Sequence, residues 1–325
     1  MLPDPNDPQD PHDHETRAGR DAAFNAFLRR DTVIKARREQ LWLPLENPER
    51  IITYLAHLAT SPAQHRTMAP YLSVPANSGK TRLIHRALKR IVEETPPPGE
   101  EAEFVEDADF TGAAGSRGGD VQRAILIDIN GAKNSSQVAT QLLEAVGNMQ
   151  HTGSANERQG RFVKVANNLQ VRMIFMDEFQ EMLGTPGRAE DLLELVKGLM
   201  LKGFMVIPVG TERVQEALKR NPHLATRYTT ALSLPPLTFV EVQKTMEALA
   251  QGFTGETECI FPLPDQNTVR ATLELSRGLL GDVLNLTQHA LVDHAELSVE
   301  SIEKAAETLN LTRAPKKDAA KEKRP

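Results

Sequence analysis

Two short polar stretches, each directly after an apolar run, carry side chains that could bind a ligand or catalyse a reaction. The first is the Gly-Lys-Thr tripeptide Gly79–Thr81, which ends the loop Val74–Thr81. A glycine lets backbone N–H groups approach phosphate oxygens, the lysine reaches the β- and γ-phosphates, and the hydroxyl can bind Mg²⁺. The loop is therefore predicted to bind a nucleoside triphosphate. Its predicted contacts with the nucleotide come from Ala76, Asn77, Ser78, Gly79, Lys80 and Thr81.

The loop departs from the usual phosphate-binding pattern at its first position. That pattern is G-x-x-x-x-G-K-[ST], and Val74 stands where the first glycine is expected. A β-branched residue resists the left-handed backbone and the close packing that glycine permits. We therefore expect a reshaped turn between strand and loop, with weaker nucleotide affinity or slower turnover.

The second stretch is a pair of carboxylates, Asp177 and Glu178, directly after the apolar run Val171–Met176. In nucleotide hydrolases the first carboxylate of such a pair holds Mg²⁺, directly or through water, and the second polarises the attacking water. An ordinary acidic turn after a strand would look the same in isolation. The presence of the Gly-Lys-Thr loop about a hundred residues upstream favours the catalytic interpretation.

Apolar runs and helical periodicity predict the framework that would bring the two stretches together. A buried strand at Tyr71–Val74 precedes the loop, and a helix at Arg82–Val92 follows it, so the helix N-terminus adds its dipole to anion binding. Nearly continuous apolar strands are typical of a parallel sheet, in which the carboxyl ends of the strands meet at one edge. Further strands are predicted at 124–129, 171–176 and 203–210, and further helices at 138–146, 162–169, 189–201 and 214–219.

Shifts in composition divide the chain into consecutive parts. Acidic, proline-rich residues open the chain, a run rich in glycine and proline interrupts the middle, and the last third is helical in pattern. The predicted parts are a disordered leader (1–18), a helical segment packing on the core (19–66), an α/β core (67–236) with a flexible insertion (94–120) and one edge strand near 103–105, a helical lid (237–311) and a charged disordered tail (312–325).

Bulk composition excludes several classes of protein. The chain has 325 residues, 25% of them charged, and a net charge of −6, so non-specific affinity for nucleic acid cannot come from overall charge. Cys259 is the sole cysteine, which excludes an intrachain disulfide and a multi-cysteine metal site. No apolar run approaches the length of a membrane span, and the acidic start lacks the features of a signal peptide. We therefore expect a cytoplasmic protein with no membrane contact.

The order of these parts resembles an AAA+ ATPase: an α/β P-loop parallel sheet flanked by helices, followed by a small helical lid. Finer details resemble the TniB/TnsC group of transposition ATPases over about residues 30–310. These details are Met173–Gln180, the leucine-rich helix with Lys197-Gly-Leu, Val206–Glu212, and Trp42, Pro62 and Met68 ahead of the loop.

This resemblance implies an ATP-dependent DNA-binding regulator of transposition. Such a protein would assemble as a ring or filament on double-stranded DNA, recruit a transposase of the TniA/TnsB type, and hydrolyse ATP slowly with stimulation by assembly or DNA. The implied cofactors are ATP and Mg²⁺. Carried over by position, Lys80 binds the triphosphate, Thr81 and Asp177 hold the metal, Glu178 is catalytic, Thr211 is the first sensor, and Arg227 reaches a neighbouring subunit's nucleotide.

Two points limit what the resemblance implies. Asp282 follows Gly281 where many AAA+ proteins place a sensor arginine, and Arg277 is the nearby substitute. Candidate DNA contacts are Lys133, Arg161 and Lys164, although a basic residue of this kind is more often a solvated surface residue. The alternatives left open are a nucleotide-bound scaffold that does not hydrolyse ATP, and an AAA+ ATPase of another DNA transaction, such as replication loading or defence.

Overall fold

The structure is a computed structural model that describes residues 11–61, 67–95, 121–132, 134–184, 186–253, 256 and 259–311. The chain divides into two compact units, each considered by itself. The α/β unit is Pro44–Pro235, and the helical unit combines Met1–Leu43 with Pro236–Pro325. No helix within the described ranges is both long enough and apolar enough to cross a membrane.

The α/β unit contains a five-stranded sheet and seven of the helices named here. Its strands are β1 (Ala69–Ser73), β2 (Ala124–Asp128), β3 (Met173–Asp177), β4 (Met205–Gly210) and β5 (Tyr228–Leu232). Its helices are α2 (Glu46–Thr60), α3 (Lys80–Glu94), α4 (Ser135–Ala145), α5 (Ala155–Asn168), α6 (Pro186–Leu201), α7 (Val214–Lys219) and α8 (Pro222–Ala225), with a 3₁₀ helix at Phe179–Gly184.

All strand pairs in the sheet are parallel, and the strand order is β2-β3-β4-β1-β5. Every residue of β3 is buried, as expected for a strand covered on both faces. The register pairs Ser73 with Gly210 and Asp128 with Asp177, so four strand ends lie along one edge of the sheet. The predicted strand, loop and helix order is therefore realised, and it brings the loop after β1 to the same edge as the carboxylates after β3.

Two local elements differ from the sequence-based expectation. Strand β5 begins at Tyr228, where no strand is predicted. Its residues Thr229–Ala231 are exposed, so this edge strand has no apolar pattern in the sequence. Helix α5 begins at Ala155, seven residues before the predicted start of the helix at 162. Ser154 caps it by accepting a hydrogen bond from Glu157 N–H, and the Glu157 side chain bonds back in a capping box.

The helical unit consists of four C-terminal helices and the long N-terminal helix. They are α1 (Pro11–Gln40), α9 (Phe239–Gln251), α10 (Gln266–Ser276), α11 (Leu280–His289), which continues as a π-helical turn at Ala290–His294, and α12 (Val299–Thr308). Their apolar faces form one core around fully buried residues such as Val242, Leu286 and Ile302.

The N-terminal segment 19–66, predicted to pack on the α/β core, is divided between the two units: residues up to Leu43 belong to the helical unit and those from Pro44 to the α/β unit. Helix α1 packs on the helical unit, because Ile34 enters its apolar core and the buried Arg37 donates hydrogen bonds to the carbonyls of Leu249, Ala250 and Cys259. Helix α2 packs against α3 instead. Periodicity identifies the apolar face of α1 but not its partner.

Several sequence-based predictions concern residues at or beyond the limits of the described ranges. Helix α1 begins at Pro11, within the leader expected to be disordered. The edge strand near 103–105, most of the insertion at 94–120, the tail at 312–325 and Lys133 lie outside the described residues. The boundary between the two units falls at Pro235–Pro236, beside the predicted boundary at 236–237.

Candidate active site

The Gly-Lys-Thr loop connects the carboxyl end of β1 to the N-terminus of α3. Gly79 is the N-cap residue of α3 and has a left-handed backbone, with φ 80° and ψ 19°. Asn77 is also left-handed, at φ 60°. The first turn of a helix leaves N–H groups without intrahelical partners, and α3 has no acidic residue in its first turn to compete with an anion. The loop thus directs backbone donors and Lys80 to one point.

Val74 occupies its position without backbone strain. Its side chain is fully buried, its φ lies outside the left-handed region, and its N–H donates to the Gly210 carbonyl at 3.0 Å. That hydrogen bond extends the pairing of β1 with β4 by one residue. Valine is therefore accommodated at this position, because the left-handed conformations fall on Asn77 and Gly79 instead.

Lys80, Thr81, Asp177 and Glu178 form one connected cluster. Lys80 Nζ donates to Glu178 Oε1 and lies 3.4 Å from Asp177 Oδ1. The Thr81 hydroxyl donates to Asp177 Oδ2 at 3.3 Å. The side chain of Lys80 is only 12% exposed, so its charge is balanced by carboxylates rather than by water. Residues almost a hundred positions apart in the sequence are thus within hydrogen-bond reach.

The chain turns sharply between the two carboxylate residues, Asp177 and Glu178. Glu178 has a left-handed backbone at φ 56°, and its N–H donates to Asp177 Oδ1 at 2.8 Å. A left-handed non-glycine residue costs roughly 1–2 kcal/mol and persists only where its surroundings hold it. Here the turn leaves Asp177 buried next to Thr81 and a half-buried Glu178 next to Lys80.

The residues present fit a nucleotide with Mg²⁺. The Thr81 hydroxyl and the Asp177 carboxylate supply hard oxygen ligands, and Mg²⁺ is usually held by one or two carboxylates plus substrate phosphates. The Ser78 hydroxyl is buried and makes no hydrogen bond to the described part of the chain, so it can serve a ligand in the loop.

Comparison with known proteins assigns the chain to a family. Residues 33–237 match the family described as "Bacterial TniB protein". The chain belongs to the TniB family. This confirms the resemblance expected from the motifs. No curated protein matches the chain.

Solved structures similar to this TniB-family chain share its fold at low identity. The Aeropyrum pernix ORC2 protein in ADPNP–ADP complexes is 16% identical with a TM-score of 0.57, covering 81% of this chain and 68% of that one. For A. pernix ORC1 in complex with DNA the values are 18%, 0.55, 81% and 64%. For domain III of the Thermotoga maritima replication initiation protein DnaA they are 14%, 0.50, 82% and 94%. The predicted AAA+ fold is confirmed.

Thr211, the predicted sensor, lies directly after β4 and beside the end of β1. Its carbonyl accepts a hydrogen bond of 3.5 Å from the Ser73 hydroxyl. Its N–H donates to Gln180 Oε1 at 3.0 Å. The half-buried threonine therefore belongs to the same edge of the sheet as Lys80 and Glu178.

Gln180 is a site residue that the sequence reasoning missed. Its Nε2 donates to Glu178 Oε2, so its amide joins Glu178 to Thr211. It is only 6% exposed. In the sequence it appears only as the last residue of the stretch Met173–Gln180, and a glutamine there carries no charge and suggests no catalytic role by itself.

Arg227 lies at the amino-terminal ends of the strands, on the opposite side of the sheet from the Lys80 cluster. It immediately precedes Tyr228, which pairs with Ala69 at the first residue of β1, and its Nη1 donates to the Thr67 carbonyl at 3.2 Å. It also lines a cavity of about 280 Å³ together with Lys197, Leu201, His223 and Thr226. The structure thus does not bring Arg227 to the cluster around Lys80 of the same chain.

The remaining predicted contacts have mixed environments. Arg161 is half-buried, and its Nη2 donates to the carbonyls of Gln150 (3.2 Å) and Thr152, whereas Lys164 is exposed on the same helix. In the helical unit, Arg277 is exposed and left-handed at φ 54°, and Asp282 is buried. Lys164 therefore has the exposure that a DNA contact needs, while the guanidinium of Arg161 is used within the fold.

Proposed function

We propose that the protein is an AAA+ ATPase that regulates DNA transposition, binding ATP with Mg²⁺ and assembling on double-stranded DNA to recruit a transposase. The observation that carries the proposal is the cluster of Lys80, Thr81, Asp177 and Glu178 at one edge of the sheet. Membership of the TniB family supports transposition as the setting.

In this proposal each member of the cluster has one task. Lys80 and the backbone donors from Ala76 to Gly79 bind the phosphates, and Thr81 and Asp177 bind the metal. When bound, Mg²⁺ neutralises charge on the phosphate oxygens. Glu178 takes the proton of the water whose oxygen bonds to the γ-phosphorus, while the bond from that phosphorus to the bridging oxygen breaks, leaving ADP and phosphate.

We further propose that hydrolysis requires assembly. The position of Arg227 at the far edge of the sheet supports a role toward a neighbouring subunit's nucleotide. An arginine supplied in trans stabilises the charge of the transition state, so isolated subunits would turn over slowly. Thr211, beside the end of β1, would sense the γ-phosphate.

Binding to DNA would depend on many subunits that each contribute a few basic side chains, rather than on one basic cleft within a single subunit. The chain carries a net charge of −6, so a ring or filament that presents one or two cations per subunit fits better than a monomer. The proposed contacts are Lys133 and Lys164, because the guanidinium of Arg161 donates to two carbonyls within the fold. The structural likeness to ORC1, which was solved in complex with DNA, makes DNA a reasonable ligand to test.

Three measurements test this function. Phosphate release by the purified protein, with and without double-stranded DNA, is expected to be slow, stimulated by DNA, and abolished in Glu178→Gln. Electron microscopy with DNA and a slowly hydrolysed ATP analogue is expected to reveal rings or filaments, and pull-down with a transposase tests recruitment. ATP binding without turnover under any condition would instead indicate a nucleotide-bound scaffold, and assemblies that ignore a transposase would indicate another DNA transaction.

A further inference from the structure

We propose that Gln180 is a positioning residue that holds the carboxylate of Glu178 and couples it to the end of β4 at Thr211. This inference rests on the proposed ATPase function and concerns how its catalytic carboxylate is oriented. It comes from the paired hydrogen bonds of one buried amide, one to Glu178 Oε2 and one from Thr211 N–H.

Chemistry determines which way the amide of Gln180 points. A backbone N–H can only donate, so the atom that faces Thr211 must be the amide oxygen. An ionised carboxylate can only accept, so the atom that faces Glu178 must be the NH₂ group. Both partners demand the same orientation, and a flipped amide would lose both bonds at once. The side chain is thereby locked in one arrangement between the two residues.

The surroundings of Gln180 are built to admit it. A Cβ at Gly210 would overlap the amide oxygen of Gln180 and lie 2.8 Å from Val214 Cγ2, so the absence of a side chain there lets Gln180 reach the backbone of Thr211. The fully buried Phe179 anchors the 3₁₀ helix that carries it, and Glu181 N–H donates to the Glu178 carbonyl at 2.9 Å. Gln180 therefore sits on a rigid element, as a positioning residue requires.

The two oxygens of Glu178 have different partners, and this difference defines the role of Gln180. Oε1 receives a hydrogen bond from Lys80, and Oε2 receives one from Gln180. When Lys80 turns toward the phosphates of a bound nucleotide, Oε1 becomes free to accept the proton of water. Gln180 then keeps Oε2 in place, so the left-handed turn at Glu178 holds its direction.

The other bond of Gln180 connects this orientation to the state of β4. Thr211 follows the strand between β3 and β1, and its N–H holds the amide oxygen of Gln180 at 3.0 Å. A movement of Thr211 in response to the γ-phosphate would be transmitted through one amide to the carboxylate that activates water. The sensor and the base are thus joined by a single side chain.

The test is steady-state ATP hydrolysis by Gln180→Leu, which removes both hydrogen bonds at similar volume. Misplacing a catalytic group slightly can cost about a hundredfold in rate, so kcat is expected to fall about 10- to 100-fold with KM for ATP within about twofold of wild type. Glu181→Gln, an exposed neighbour on the same 3₁₀ helix, is the matched control and should hydrolyse ATP normally. Binding of a fluorescent ATP analogue confirms an intact loop.

A double-mutant cycle separates positioning from a general structural effect. In a Glu178→Asp background, which is expected to keep residual turnover but whose shorter side chain no longer reaches Gln180, Gln180→Leu should cause little further loss of turnover, because the contact that it removes is already broken. If the leucine variant does not fold, Gln180→Asn, which is too short to span both partners, should give the same loss of kcat. An unchanged kcat in a folded Gln180 variant, or full additivity in the cycle, would overturn the inference, whereas absence of turnover in the wild type would overturn the proposed function itself.

Discussion

Arg227→Ala should abolish hydrolysis in homogeneous assemblies, and Glu178→Gln subunits should restore it on mixing. The structural basis is distance. Strand β1 runs from Ala69 to Ser73, which separates the two edges of the sheet by about 13 Å, and Arg227 and Lys80 lie beyond its opposite ends. The arginine therefore cannot serve the phosphate loop of its own chain.

The size of each effect follows from this arrangement. Loss of an arginine that acts on the transition state lowers kcat by roughly 10³–10⁵. In an equal mixture, half of the subunits retain Glu178 and half retain Arg227, so about one quarter of randomly formed interfaces combine both groups. The mixture should thus recover about a quarter of the wild-type rate, although each variant alone is inactive.

The assay is phosphate release as Glu178→Gln protein is titrated into Arg227→Ala protein, with DNA present and assembly followed by electron microscopy. Arg220→Ala, an exposed arginine 4.0 Å from Glu216, is the matched control and should retain full activity alone. Mixed assemblies that form normally but recover no activity would refute a role for Arg227 toward a neighbour. Activity in Arg227→Ala alone would refute any catalytic role for it.

Three further predictions concern stability and the loop. Val74→Gly should destabilise the α/β unit by about 2–4 kcal/mol through lost burial and added chain entropy, without tighter ATP binding, as checked by urea denaturation and nucleotide titration. Gly252→Ala should cost about 2–3 kcal/mol in denaturation of the helical unit, because Gly252 has φ 72° and an added Cβ would lie 2.5 Å from Arg37 Nε; an unchanged midpoint would contradict this. Hydrogen bonds from Thr268 lower the pKa of Asp265, so its stabilising cap is complete above about pH 4 and is lost as pH falls through the lowered folded-state value. The difference in Tm between wild type and Asp265→Asn should accordingly shrink below about pH 4, and a difference that grew on acidification would exclude this linkage.

Much of the candidate site is readable from local residue types. Gly79, Lys80 and Thr81 are contiguous, and Asp177 and Glu178 directly follow an apolar run, so a single window contains each half of the site. In a parallel sheet the carboxyl ends of the strands lie on one side, so the two halves of the site are expected to come together there. The contacts of Lys80 with both carboxylates follow that expectation.

Other features depend on contacts that no local pattern encodes. The edge strand β5 has exposed residues and lacks an apolar signal, so its pairing with β1 identifies it. Helix α1 has an apolar face that would suit either unit, and the carbonyls that receive Arg37 decide the choice. Val74 is likewise accommodated for a tertiary reason, since it continues the pairing of β1 with β4.

The sequence by itself thus determined a phosphate-binding loop, a pair of carboxylates and the strands that carry them, because these depend on adjacent residues. Tertiary structure alone decided that Gln180 joins Glu178 to Thr211 and that Arg227 faces away from the loop of its own chain. Hydrogen bonds between distant segments depend on strand order and register, which emerge only when the whole sheet is assembled.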